Sequence, residues 1–121
     1  VELKAARYDT GLDRQLMSAV RRGNVNKVKY LLAHGANVDI EDEDKLTPLL
    51  RATMADHTAV IKTLIDGGAN ANSTSANKNT PLHYTAECGN TEAIKYLVDH
   101  GANVNAEDDD KRTPLHRSAQ N

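Results

Sequence analysis

The chain has 121 residues, 39% of them hydrophobic and 26% charged, with a formal net charge of −2. That length fits one compact domain or a short array of smaller units. The balanced charge lacks the basic footprint that nucleic-acid binding requires. No apolar run approaches the ~20 residues that span a bilayer, and no signal-peptide pattern opens the chain.

The apolar content is aliphatic: there are four Tyr, no Phe and no Trp. A thin interior built from Leu, Val, Ile and Ala is therefore expected. Cys88 is the single cysteine, so no intrachain disulfide can form. An intracellular, cytoplasmic setting is expected on that ground, with neither nucleic acid nor membrane as partner.

In chain order, residues 1–13 are expected to cap the N-terminus, with a short helix from Glu2 to Tyr8. From Arg14 onward the sequence repeats every 33 residues: blocks 14–46, 47–79 and 80–112 are followed by a remnant, 113–121. Thr-Pro-Leu recurs at Thr47, Thr80 and Thr113, and Gly-Ala-Asn at Gly35, Gly68 and Gly101. Apolar positions agree between blocks: Leu16, Leu49 and Leu82; Val28, Ile61 and Ile94; Leu31, Leu64 and Leu97; Leu32, Ile65 and Val98. The last three sets are spaced i, i+3, i+4, one face of an α-helix.

Helix ends are readable in the third block. Thr80 offers an N-cap hydroxyl, and Pro81 takes the first helical position, where its missing N–H costs nothing. This helix should end near Gly89. A second should run from about Thr91 to His100, closed by Gly101 in the left-handed region. Residues 103–112 are polar and turn-rich. One helix pair cannot bury its apolar stripe alone, so successive pairs must stack.

The stretch TPLHYTAECGNTEAIKYLVDHGANVNAED, from Thr80 to Asp108, resembles an ankyrin repeat, whose period is 33 and whose signature is T-P-L-H-x-A. The resemblance covers Arg14 to Asn121. It implies an all-α solenoid of stacked antiparallel helix pairs, with connecting loops that project as β-hairpin fingers. The whole chain is then a single domain. The last block stops within its first helix, as expected of a longer parent protein or a disordered end.

Three departures from the family pattern stand out. Arg14-Gln15 replaces Thr-Pro in the first block, leaving Asp13 as the expected cap. Asp56 occupies the turn position held elsewhere by Gly23 and Gly89. Lys45, Lys78 and Lys111 stand where the family has a finger-tip glycine, so these fingers should use another turn type or be looser than usual. A non-glycine residue in a left-handed turn costs about 1 kcal/mol.

Few constellations suggest chemistry. His83 and His116 recur at an architectural position, and the resemblance implies that this histidine ties neighbouring loops by hydrogen bonding. That reading outweighs a metal or acid–base site built from His83, Cys88 and His116. His34 and His100 precede helix-ending glycines, where a cation favours the helix dipole. Cys88 has no evident activating partner. Neither a strained nucleophile turn nor a glycine-rich phosphate loop is present, and no cofactor is implied. Glu41-Asp42-Glu43-Asp44 and Glu107-Asp108-Asp109-Asp110 hold eight of the 17 acidic residues. A calcium loop starting at Asp39 lacks the required glycine at its sixth position and glutamate at its twelfth. The runs read as solvated loops or as an electrostatic rim that steers a basic partner.

The resemblance implies a non-catalytic module that binds a protein or peptide along the concave surface of fingers and first helices. The candidate residues there are Arg21, Arg51, Met54, Tyr84, Glu87 and Arg117, with Ser18, Arg22, Ala55 and Cys88 beside them. Tyr84, Arg51 and Met54 are the expected anchors, since Tyr and Arg dominate interface hot spots. Ile40, Leu46, Asp44 and Asp110 in the fingers complete the set; Ile40 and Leu46 either meet the partner or tuck against the finger base. The alternative is a targeting or regulatory segment of a larger enzyme, channel or effector.

Overall fold

The computed structural model describes residues 11–119. The expected helix from Glu2 to Tyr8 lies outside the described residues. Seven helices follow in order: α1 (Gly11–Arg22), α2 (Val25–Ala33), α3 (Pro48–Met54), α4 (Thr58–Asp66), α5 (Pro81–Cys88), α6 (Thr91–Asp99) and α7 (Pro114–Ala119). α1 packs on α2, α3 on α4 and α5 on α6; α1, α3, α5 and α7 form one row, and α2, α4 and α6 another. The molecule is all-α, a stack of helix pairs.

Stacking explains the shared letters. Leu31, Leu64 and Leu97 are completely buried, as are Leu16, Leu49, Val28 and Ile61, and all belong to one continuous core or pack directly into it. Full burial of such a side chain contributes about 1.5–3 kcal/mol. The face weakens toward the C-terminal end. Ile65 is 7% exposed, its equivalent Val98 39%, and Leu115 reaches 77% where Leu49 and Leu82 are buried.

Local signals set the helix starts. Thr47 Oγ1 accepts from Leu50 N at 3.2 Å, with Pro48 next in line. Thr80 Oγ1 accepts from His83 N at 3.3 Å, while His83 Nδ1 accepts from Thr80 N at 3.1 Å, a reciprocal capping box. Asn24 and Asn90 cap α2 and α6 through Lys27 N and Ala93 N. Asp13 differs from expectation. Because α1 begins at Gly11, Asp13 lies within its first turn, and its Oδ1 accepts Asn37 N at 2.9 Å from the first finger.

Between the helices of a pair, Asp56 adopts φ 60°, close to Gly23 at 72° and Gly89 at 71°. The turn survives its aspartate.

The three fingers, residues 35–46, 68–79 and 101–112, correct the β-hairpin expectation: no strand occurs among the described residues. Each finger keeps only the closed loop. Lys45 N donates to Asp42 O at 2.9 Å and Asp42 N to Leu46 O at 3.0 Å; Ser75, Lys78 and Asn79 repeat the pattern, as do Asp108, Lys111 and Arg112. This is a three-residue loop ending in a left-handed residue. Lys45, Lys78 and Lys111 supply that residue themselves, at φ 63°, 65° and 62°. Side chains offset their strain. Asp42 Oδ1 accepts the amides of Asp44 and Leu46, Asp108 Oδ1 those of Asp110 and Arg112, and Ser75 Oγ that of Asn79.

A second ladder ties finger to finger. Asn37, Asn70 and Asn103 each accept, through Oδ1, the amide two residues on. Asp39 Oδ1 receives Asn70 N, and Asn72 Oδ1 receives Asn103 N, from the next finger in line. The recurring Gly-Ala-Asn is thus an inter-finger hydrogen-bond unit as well as a helix stop.

Candidate functional site

The face made by α1, α3, α5, α7 and the fingers carries most of the side chains that stacking leaves free. Three positions on it recur in register: one late in a first-row helix, one at the start of a finger loop, and one in the following first-row helix. They are Arg21, Asp42 and Arg51 at the first finger, Met54, Ser75 and Tyr84 at the second, and Glu87, Asp108 and Arg117 at the third.

The first set is an ion cluster. The Asp42 side chain is 4% exposed and accepts Arg51 Nε at 2.7 Å and Arg21 Nη2 at 3.2 Å. Arg51 Nη2 reaches Asp44 at 2.9 Å. Burial alone would push the Asp42 carboxyl up, but the Leu46 amide, the Arg51 guanidinium and the Asp44 amide together hold it below the ordinary carboxylate range.

The third set repeats the device. The Asp108 side chain is 3% exposed and pairs with Arg112 Nε at 3.2 Å and Arg117 Nη1 at 3.4 Å. Arg117 Nη2 donates to Glu87 at 2.6 Å, its Nη1 also bonds Asn79 Oδ1 of the second finger, and Arg112 Nη2 meets Asp110 at 3.1 Å. Burial raises the Asp108 carboxyl; the amides of Arg112 and Asp110, then the Arg112 charge, more than reverse this and leave it lowered.

The middle set has no charge. Met54 is 46% exposed, and Tyr84 and Ser75 are half-buried. The Tyr84 hydroxyl has no hydrogen bond among the described residues.

This geometry sorts the sequence candidates. Met54, Tyr84, Glu87, Arg21, Asp44 and Asp110 all present surface on the face. Arg51 is half-buried and engaged by two carboxylates. Arg117, expected as an exposed position, is 8% exposed, because Asp108 and Glu87 draw its guanidinium inward. Leu46 is buried at 7%, against the finger base and away from the surface where a partner could meet it. Ile40 is half-buried and lines a cleft of about 570 Å³ between the first finger and α1, together with Met17, Arg21 and Arg22.

The acidic runs divide. Asp42 and Asp108 turn inward to the arginines, while Glu41, Glu43, Asp44, Glu107, Asp109 and Asp110 face solvent. Sequence reading missed this split. The signal was available: an aspartate followed nine residues later by an arginine recurs at Asp42/Arg51 and Asp108/Arg117, and is absent at Ser75/Tyr84.

The histidines are architectural. His83 is completely buried; its Nδ1 takes the Thr80 amide, and its Nε2 donates to the Arg112 carbonyl of the third finger at 2.8 Å. His116 makes the same bond to Thr113 N at 3.1 Å. His34 and His100 each place Nδ1 2.8 Å from the carbonyl of Tyr30 or Tyr96, stacked on that ring. Cys88 is exposed; partial burial, then the charges of Asp56 and Glu87, push its thiol up and away from the reactive thiolate. Among the described residues no three His, Cys, Asp or Glu side chains come together as metal ligands, and no helix is long and apolar enough to cross a membrane.

A stack of helix pairs with one decorated, hydrogen-bonded finger face is the architecture of a repeat scaffold. The family model for ankyrin repeats (3 copies) matches residues 4–75 and 60–121, and the chain belongs to the ankyrin repeat family. The family is a non-catalytic module that generally binds proteins. No curated protein matches the chain.

Proposed function

We propose that this chain is a non-enzymatic recognition module that binds a protein or peptide across its fingers and first-row helices, without a cofactor. One observation carries this reading. Packing positions stay aliphatic from layer to layer, whereas equivalent positions on this face change in kind, as in Arg21, Met54 and Glu87 or Arg22, Ala55 and Cys88. Stacking constrains the first group and leaves the second available for specificity. Met54 and Tyr84 serve as the anchors. Arg21, Glu87, Asp44 and Asp110 form the polar rim, Ile40 a flanking contact, and Arg51 a preorganised donor.

The test is co-purification with the immobilised chain and with its Met54→Ala/Tyr84→Ala variant. Proteins retained by the parent and lost by the variant, at unchanged helical circular dichroism, support the reading. Equal retention by both overturns the assignment of the face.

A further inference from the structure

The middle of the face differs in kind from its two flanks. At the first and third fingers the three recurring positions close on themselves as Asp–Arg clusters, with the central carboxylates almost fully buried. At the second finger the same positions are Met54, Ser75 and Tyr84, and Met54 stays 46% exposed. An exposed methionine beside a half-exposed tyrosine, bounded on both sides by ion pairs, has the anatomy of an interface centre: an apolar anchor point inside a polar rim.

The rim has a sign. The inward aspartates use the cluster arginines, so the carboxylates of the two acidic runs left in solvent without an ion pair among the described residues are Glu41 and Glu43 at the first finger and Glu107 and Asp109 at the third. The tip of the second finger, Ala76-Asn77, carries none. Two such carboxylates outnumber the single exposed lysine of the same loop, Lys45 or Lys111, while the second finger carries Lys78 and no carboxylate. Net negative charge thus stands on either side of the apolar centre and not at it.

Resting on the proposed function, the geometry points to an extended peptide segment as the occupant, with a large apolar side chain over Met54 and Tyr84 and one basic residue on each side. Spacing follows from the stack. Packed helices lie about 8–10 Å apart, so fingers one and three are separated by roughly 20 Å. An extended chain advances about 3.3 Å per residue, which puts the two basic residues about six positions apart with the apolar one midway. Charge complementarity sets register and on-rate, and the apolar anchor supplies the affinity.

The experiment is selection of fully randomised ten-residue peptides, displayed on phage, against the immobilised 121-residue chain. Enrichment of a Leu, Met or aromatic residue flanked by Lys or Arg five to seven positions apart is the expected result. Met54→Glu should then weaken the selected peptides about tenfold or more, and neutralising Glu41, Glu43, Glu107 and Asp109 to their amides should weaken them severalfold at low salt and little at high salt. Peptides of another pattern that still depend on Met54 overturn this inference while the face assignment stands. Peptides indifferent to Met54→Glu and Tyr84→Ala overturn both. Recovery of no peptide above background overturns the inference alone, because co-purification tests the broader reading separately.

Discussion

Arg51 donates to Asp42 through Nε at 2.7 Å, and sixty-six residues later Arg117 reaches Asp108 through Nη1 at 3.4 Å. In each case the aspartate also receives two amides of its own loop, so one buried carboxylate fixes both the finger's shape and its attachment to the next helix.

Asp42→Asn should destabilise the fold by about 1–3 kcal/mol, since it removes a charge-assisted bond and leaves Arg51 without its buried partner. Urea denaturation followed by circular dichroism measures this. Glu43→Gln, at a solvent-facing carboxylate, should change stability by less than about 0.5 kcal/mol.

Acid should unpick both clusters. Asp42 and Asp108 titrate below their unfolded value of 3.8, so between the folded and unfolded values the unfolded chain binds more protons and stability rises with pH. Their contribution is complete above the unfolded value and is lost as pH falls through the lowered folded values. The Asp42→Asn/Asp108→Asn variant should show a flatter stability profile below about pH 4 than the parent. An identical acid slope in parent and variant contradicts the assignment.

Lys78→Gly should stabilise the protein by about 0.5 kcal/mol, as relief of left-handed strain at φ 65° slightly exceeds the added freedom of the unfolded chain. Lys78→Ala, which keeps a Cβ, should not. Thermal melts of the pair separate backbone strain from loss of the lysine charge.

Equivalent leucines should carry unequal weight. Leu82→Ala should cost about 2–5 kcal/mol, and Leu115→Ala less than about 0.5 kcal/mol, because the first is 3% exposed and the second 77%. Equal losses in denaturant melts would mean that Leu115 is covered in solution.

His83→Ala should cost about 1–3 kcal/mol by orphaning the Thr80 amide and the Arg112 carbonyl, both bonded to one buried ring. Amide exchange at Thr80 should accelerate, and the Arg112 amide, which donates to Asp108 in the finger that His83 ties down, should lose protection with it. A structural tie predicts that change, whereas a surface histidine would leave exchange unaltered.

The cap at Thr80 and the turn positions at Gly23 and Gly89 were legible in the chain because each depends on residues within one helical turn of one another, whereas Asp13, expected as a cap, lies inside α1 and bonds the first finger instead. The aliphatic core was legible too, since a periodic stack writes the same packing constraint into every block. The finger loops were half legible: the conflict between Lys45, Lys78 or Lys111 and a left-handed turn could be seen, but not that Asp42, Asp108 and Ser75 would stabilise the loops from within.

The sequence by itself determined that helix pairs repeat every 33 residues and must stack, because an apolar stripe recurring at helical spacing leaves no other way to exclude water. Tertiary structure alone decided which surface residues are free. Arg51, Arg117 and Leu46 look as available as Met54 and Tyr84 in the linear chain, yet distant carboxylates and the finger base claim the first three. Burial and ion pairing are properties of neighbours brought together across nine, thirty or more residues; the nine-residue Asp–Arg interval can be seen in the chain, but only the fold shows that the two side chains meet.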